Sequence, residues 1–470
     1  MNIIIKHLFI IITSFGLSQD IHTEYLIING DSLDIFSYQI PQSYENNIQH
    51  PLLVIFHQWG GNENSTYYTE FDEEANSRNW LFLSPFGGSV NNYNHQGSQY
   101  FIQQEILWMI NQFNIDQRRI YFVGGSMGGA AGAIFANNYL DPTLPMVAAT
   151  ASASGILDCE RRYHEMDGNN SMIEWFGGTP EEVPFEYHRN SAVFFADSTQ
   201  SMHFNLQHTP LYMDFGSTEA HRYHAEDLYY LLFGYNENMW IDNNPTAGHG
   251  FSIINEEHAC DWLSQFELVD EPDYININLD EPGRAYWLET IGQFNDEDFI
   301  RIICNRYNHE SSPNIVYFSL TSFNNSDTLI IHDVLNGEYN SSILDESVNP
   351  NGLVIGFTGE IIEFVSSFSA TLFNETEFVI ELTSIINENI YWVEIPSFQD
   401  NFHHLIHISI NYLEIDVNQD GVWDILDIIQ TIDFILGYVL PTNLQFNSAD
   451  LNNDGNIDIL DIIAIVNLIL

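Results

Sequence analysis

The chain has 470 residues, 45% of them apolar, and carries 65 acidic against 11 basic residues for a net charge of −54. That length and apolar share suit two or three domains with a large core. The charge argues against nucleic acid or an anionic membrane as partner, because phosphates would be repelled, and against a polyanionic substrate unless a cation bridges it.

Residues 1–18 read as a secretory signal peptide. Lys6 and His7 form a short basic region, Leu8 to Leu17 the apolar run, and Gly16 and Ser18 the small residues before a cleavage point at Gln19. The run is too short to span a bilayer, and no later segment reaches about 18 unbroken apolar residues. The expected product is secreted, without a membrane span. Cys159, Cys260 and Cys304 are an odd set for an exported protein. Cys159 and Cys260 fall in one domain, where a bridge and buried thiols are both open readings.

From about residue 22 the chain alternates strands and helices. Two short strands end at Pro41, and Pro51 to Phe56 is a buried strand running into His57-Gln58-Trp59-Gly60-Gly61. A helix is expected over 66–78, a strand over 80–83, and a Gly- and Asn-rich loop over 84–97 bordering the site. The next helix spans about 100–113, with Ile102, Ile106, Met109, Ile110 and Phe113 at helical spacing. Further strands are expected at 146–153, 210–215 and 239–242, and helices at 220–233 and 256–266. Residues 158–201 read as a long irregular segment covering the mouth of the site. Such alternation implies an α/β domain with a mainly parallel sheet and helices on both faces, over residues 19–268.

From 269 to 412 helical periodicity fades, and β-rich runs separated by Asn, Ser, Gly and Asp suggest one or two β-sandwich modules. Tyr286-Trp-Leu-Glu289 and Tyr391-Trp-Val-Glu394 mark a weak repeat of about 105 residues. Their aromatic pairs read as core before they read as a carbohydrate-stacking face.

The segment on which the first domain turns is Arg119 to Ala130. Ile120, Tyr121, Phe122 and Val123 form a buried strand, Gly124-Gly125-Ser126-Met127-Gly128 follows, and small helix formers run from Ala130 to Asn138. A G-x-S-x-G between strand and helix is the nucleophile elbow, which holds a serine at the apex of a strained turn. A serine hydroxyl needs a base, and the base an orienting acid, in the chain order Ser, acid, His. His249, between Gly248 and Gly250 and ahead of the closing helix, is the expected base. His221, His224 and His258 fall on predicted helices and read as surface residues. Glu219 leads as the acid because it lies just past the strand at 210–215; Asp214 and Asp227 are its rivals. The oxyanion donors expected are the N–H of Met127, after the nucleophile, and that of Trp59 or Gln58 in the loop after the third strand.

Residues 413–470 hold two copies of a calcium-loop pattern. Asp416, Asn418, Asp420, Val422 (through its carbonyl), Asp424 and Asp427 are followed 34 residues later by Asp450, Asn452, Asp454, Asn456 (likewise), Asp458 and Asp461. Oxygen donors at loop positions one, three, five, seven, nine and twelve, with Gly421 and Gly455 at six, are the EF-hand spacing. An apolar helix follows each loop, so two structural calcium ions are expected and no cofactor for catalysis.

Two resemblances rest on these residues. Ile115-Asp116, Arg119-Ile120-Tyr121 and the Ser126 motif, together with Gly177 to Pro184, Gly216 to Glu219 and Gly248 to Gly250, resemble the secreted α/β-hydrolase esterases of the polyhydroxybutyrate depolymerase, feruloyl and acetyl-xylan esterase group. They are also similar to prolyl-oligopeptidase-like hydrolases. This implies a Ser126, Glu219, His249 triad acting on a polymeric ester, with Gln58 where the group usually has glycine and Glu219 where it usually has aspartate. Residues 416–470 resemble a type I dockerin, which implies a cohesin-bearing scaffold protein as partner. At loop positions 10 and 11, where such modules read the partner, this chain has Ile425-Leu426 and Ile459-Leu460, which could read an apolar surface or pack internally. A serine peptidase and a non-catalytic scaffold or adhesion protein are the competing readings.

Overall fold

The computed structural model describes residues 20–291 except 169, the strand segments between 299 and 412, and residues 417–418, 425–451 and 455–469. Residues 1–18, expected to be a signal peptide, therefore lie outside the described residues. These divide into two compact units, one up to Val269 apart from Leu140–Pro142, and one from Asp270 onward.

The first unit is built on an eight-stranded sheet of β1 (His22–Ile28), β2 (Asp31–Gln39), β3 (His50–Phe56), β4 (Leu81–Pro85), β5 (Ile115–Gly125), β6 (Ala149–Ala153), β7 (Leu211–Asp214) and β8 (Met239–Ile241), in the order β1-β2-β4-β3-β5-β6-β7-β8. β2 pairs antiparallel with β1 and β4, and every pair from β4 to β8 is parallel. This mostly parallel, doubly wound arrangement, with a serine turn after its central strand, is the α/β-hydrolase fold.

The sheet is central because its strands are apolar on both sides. Leu53 and Val54 of β3 and Tyr121 and Phe122 of β5 have no exposed surface, and neighbouring side chains of each strand feed different cores. Each such side chain contributes roughly 1.5–3 kcal/mol by leaving water. One core packs against α2 (Gln96–Gln112), α3 (Ala131–Asn138) and α7 (His221–Leu232); the other packs against α1 (Phe71–Ser77) and α8 (Glu256–Leu263). Residues 158–201 are more ordered than expected. They hold α4 (Cys159–Glu165), α5 (Met172–Phe176) and α6 (Pro184–Arg189), with α4 capped by the Asp158 carboxylate accepting from the Arg161 N–H at 2.8 Å. Short helices of five to seven residues leave little periodicity to read. Cys159 and Cys260 are buried free thiols, so the bridge reading fails; burial pushes each thiol up to about 12.

In the second unit, β9 (Tyr274–Leu279), β10 (Arg284–Ala285), β11 (Leu288–Ile291), β12 (Ile300–His309), β13 (Ser312–Leu320), β14 (Thr328–Ile331), β15 (Asn340–Asp345), β16 (Val354–Phe357), β17 (Val365–Asn374), β18 (Val379–Leu382), β19 (Ser384–Asn387), β20 (Ile390–Glu394) and β21 (His404–Tyr412) form a six-stranded and a seven-stranded sheet. The two Tyr-Trp stretches supply β11 and β20 of the same sheet, each pairing antiparallel with one of the two parallel central strands, β14 and β16. Tyr286 and Trp287 are 2% exposed, which makes the first pair core and not a stacking face. After the sheets come α9 (Ile425–Ile435), α10 (Asn443–Ala449) and α11 (Ile459–Ile469). Among the described residues no helix is long and apolar enough to cross a membrane.

Candidate active site

Ser126 sits at the tip of β5 with φ at +54°, a left-handed backbone that a non-glycine residue adopts only when its surroundings impose it. Its N–H donates to the Ala153 carbonyl at 2.7 Å, which ties the turn to the end of β6. The flanking glycines answer to close approach. A Cβ on Gly124 would stand 2.1 Å from the Gly128 carbonyl oxygen, and one on Gly128 would stand 2.5 Å from that of Phe56. The turn closes only without those side chains.

Ser126, His249 and Glu219 come together from three loops. His249 Nε2 lies 2.8 Å from Ser126 Oγ, and His249 Nδ1 hydrogen-bonds Glu219 Oε2. His249 enters through Gly248 and is half exposed, while Glu219 is largely covered. Glu219 Oε1 accepts from the Gly216 N–H at 2.6 Å and from Ser154 Oγ at 2.5 Å. Burial opposes charge on Glu219. The hydrogen bonds from His221, His249, Ser154 and Gly216 outweigh it and hold the carboxylate well below its usual range. The acid is thus ionised wherever the imidazole would need it.

The rival acids face elsewhere. Asp214 accepts from its neighbour Phe215 N–H at 2.9 Å, and burial together with Asp242 pushes it up to about 7. Asp227 pairs with Arg161 at 2.7 Å.

Two neighbours escaped the sequence reading. Ser154, fully buried with φ at +57°, donates to Glu219 and accepts from the Gly250 N–H at 2.9 Å, so one hydroxyl braces both the acid and the histidine loop. His221, expected on the surface, is 5% exposed, and its Nδ1 lies 3.3 Å from Glu219 Oε2, the oxygen that His249 also uses. His224 is likewise buried, against the reading of the sequence, whereas His258 is exposed. The signal for His221 was its position two residues past the acid, where the first turn of α7 faces inward. Ser154 carried no local signal.

The oxyanion candidates lie around the serine turn. The His57 ring bonds the carbonyls of Gln58 at 2.8 Å and Phe86 at 2.9 Å, pinning the turn after β3. The N–H groups of Gly60 and Gly61 are taken by the Val90 and Gln58 carbonyls, whereas those of Gln58, Trp59 and Met127 make no hydrogen bond among the described residues. The Gln58 side chain lies against the Gly250 backbone, and the Trp59 side chain is 60% exposed. The loop at 84–97 reaches the nucleophile turn, since Asn94 Nδ2 donates to the Met127 carbonyl at 2.9 Å. The covering segment reaches it too: Met127 packs in one apolar cluster with Tyr93, Ile156, Cys159, Met172, Phe176 and Tyr187. His95 stacks on Trp175 at 4.6 Å, and burial lowers its pKa to about 4, so the ring is neutral near pH 7.

At the other end of the chain, Asp427 and Asp461, at loop position twelve, have no exposed surface, and Asp450, at position one, is 5% exposed. Asp450 Oδ2 accepts from the Gly455 N–H at 2.9 Å, with Gly455 at φ +84°, and Asp461 Oδ2 accepts from the Asp458 N–H at 2.8 Å. Buried carboxylates held by such turns fit a hard cation such as calcium. Asp416, Asp420, Val422, Asp424, Asn452 and Asp454 lie outside the described residues. Ile425, Leu426, Ile459 and Leu460 are exposed by 47–64%, so the matched apolar pairs are not internal packing; the module's core is Val417, Phe434, Ala449, Leu451 and Ile465.

Residues 414–470 match the family model of the dockerin type I domain. This segment is a type I dockerin. Such domains typically bind calcium and engage cohesin-bearing scaffolds, and the proteins that carry them are typically extracellular. No curated protein matches the chain. Among solved structures, the fluorophosphonate-binding serine hydrolase F of Staphylococcus aureus is similar at 16% identity and TM-score 0.39, covering 52% of this chain and 98% of that one. A ferulic acid esterase is similar at 14% identity and TM-score 0.39, covering 53% and 95%. The acylaminoacyl peptidase of Pyrococcus horikoshii is similar at 14% identity and TM-score 0.40, covering 53% and 41%.

Proposed function

We propose that this chain is an exported serine esterase that hydrolyses carboxylic esters on a polymer and is held near it by its dockerin. The observation that carries the reading is the continuous relay from Ser126 Oγ through His249 to Glu219, set on a strained turn of an α/β-hydrolase sheet. Ser126 attacks the ester carbonyl while His249 Nε2 takes its proton and passes it to the leaving alkoxide. Glu219 keeps the other ring nitrogen protonated and stabilises the imidazolium. The N–H groups of Met127 and Trp59, with Gln58 as the alternative second donor, hold the oxyanion. Water, activated by His249, then releases the acid and restores Ser126. The dockerin supports a polymeric substrate, polysaccharide esters of the feruloyl or acetyl type first and polyesters second. Two calcium ions, one in each loop from Asp416 to Asp427 and from Asp450 to Asp461, order that module, and its exposed isoleucine–leucine pairs face the cohesin.

The test is hydrolysis of p-nitrophenyl acetate, methyl ferulate and a prolyl p-nitroanilide by the wild-type chain and by Ser126→Ala. Ester turnover that falls by on the order of 10⁴–10⁶ in the variant is the expected result. Turnover of the amide alone would move the assignment to a peptidase. Ester turnover unchanged by the substitution would remove Ser126 from the mechanism.

A further inference from the structure

Glu219 Oε2 serves two imidazoles. His249 Nδ1 and His221 Nδ1 converge on that one oxygen, the two rings stand 5.0 Å apart, and the three donor atoms all lie within 4.8 Å of one another. A triad needs only one of these histidines. Two imidazole nitrogens and a carboxylate on one centre are also a ligand set of catalytic zinc sites, in which the fourth position is left to water. We infer that Glu219, His221 and His249 form a binding site for a zinc-class divalent cation, which switches the serine site off.

The geometry suits the ion. Two donors about 2.0–2.1 Å from a tetrahedral metal stand roughly 3.3 Å apart, and His221 Nδ1 already lies 3.3 Å from Glu219 Oε2. Only the His249–Glu219 contact has to lengthen, and the cation replaces the proton in both imidazole–carboxylate hydrogen bonds. His249 can make that movement, because its side chain is 45% exposed and the loop that carries it has Gly248 and Gly250 on either side. Ser154 and the Gly216 N–H hold the opposite oxygen of Glu219 throughout, so the carboxylate stays aimed. A hard oxygen-seeking cation such as calcium is disfavoured here by the two nitrogen ligands.

The consequence for catalysis follows from the tautomers. At rest, Ser126 Oγ donates to His249 Nε2, and the ring proton sits on Nδ1 facing Glu219. A cation on Nδ1 displaces that proton, which moves to Nε2. The ring then donates to Ser126 Oγ and has no lone pair with which to take the serine proton. On His221 the same shift gives up the Nδ1 hydrogen bond to Glu219 and places the proton on Nε2, a buried atom that makes no hydrogen bond at rest. No net proton is released.

This site rests on the positions of three side chains, and the loss of activity rests on the proposed triad. The experiment separates the two. The full chain, saturated with calcium to fill the dockerin loops, is titrated with cobalt(II), and the visible absorption of nitrogen-ligated, four-coordinate cobalt is followed. The expected result is a band that saturates at one equivalent, is displaced by zinc, persists in Ser126→Ala, and is lost in both His221→Asn and His249→Gln. The loss of affinity should exceed the ~10–100-fold typical of removing an outer-sphere partner. In parallel, zinc should inhibit p-nitrophenyl acetate hydrolysis reversibly, and the inhibition should weaken in His221→Asn by more than ~100-fold in zinc concentration. Because His249 is half exposed, His249→Gln tests the ligand set even if His221→Asn is misfolded. No such band, or a band that survives both histidine substitutions, overturns the inference. Cobalt binding without esterase turnover would keep the metal site and remove the esterase; turnover without cobalt binding would do the reverse.

Discussion

The serine site and the dockerin loops use the same kinds of side chain at opposite scales of chain separation. Each dockerin repeat carries its candidate oxygen donors within twelve residues of sequence, whereas Ser126, Ser154, Glu219, His221 and His249 arrive from four separate stretches across more than a hundred residues. In the repeats, short-range spacing alone sets the pattern of candidate donors. In the serine site, spacing says only that a serine, an acid and a histidine exist in the right order. Which acid, and what else touches it, is decided by packing.

That contrast can be tested from its strongest point downward. Glu219→Gln should lower ester turnover by about 10⁴ with little change in KM, because the amide cannot hold the imidazole in the tautomer that accepts from serine. Asp214→Asn, at the rival position, should leave kcat within about twofold. If the two acids exchanged these effects, the geometry of the site would be misassigned. Stopped assays on p-nitrophenyl acetate suffice for both.

Calcium removal probes the other region. Chelation, or Asp427→Ala with Asp461→Ala, should melt the dockerin helices and abolish cohesin binding, yet leave ester turnover on a small soluble substrate unchanged. Calcium at a hundredfold over its dissociation constant should restore about 2.7 kcal/mol of stability for each loop it fills. Helical circular dichroism against calcium, run beside the ester assay, reads both at once. Parallel loss of turnover would mean that the two regions are not the separate devices their sequences suggest.

Ser154→Ala asks how much of the serine site depends on its supports. It removes one hydrogen bond to Glu219 and leaves the Gly250 N–H without its acceptor. A stability loss of roughly 1–3 kcal/mol is expected from the unpaired buried group, with kcat down by about tenfold. Denaturant unfolding and kinetics measured on the same sample separate the two effects.

The smallest expected effect is a pH dependence. Burial, with Asp242 beside it, raises the Asp214 carboxyl from the ordinary value of 3.8 to about 7. The folded chain therefore keeps a proton there that the unfolded chain sheds near pH 4. The stability this group contributes is complete below about pH 4 and is lost as the pH rises through about 7. Asp214→Asn keeps a neutral side chain at all pH values, so its melting temperature should fall less than the wild type's between pH 5 and 8. An equal fall in both would show that Asp214 is not the group titrating. Asp72 and Glu256, also raised to about 7, add to the slope, as do the buried carboxyls of Glu105, Asp34 and Asp158, which burial raises as well.

Much of this could be read from local pattern. The strand–turn–helix around Ser126 announces itself, because a buried strand, two close-approach glycines and small helix residues are all consequences of local chain geometry. His249 between glycines, Glu219 just past a strand, and the dockerin repeats were legible for the same reason: turn chemistry is short-range. Tertiary packing decided the rest. Asp214 and Glu219 lie five residues apart beside the same strand, and only the fold aims one at His249 and the other at Asp242. His221 and Ser154 carry no motif, since a histidine on a helix and a serine after a strand are ordinary until the turns after β6 and β7 place both against one carboxylate. A hydrogen bond's partner is chosen by three-dimensional proximity, and linear spacing encodes proximity only over a turn or two of chain.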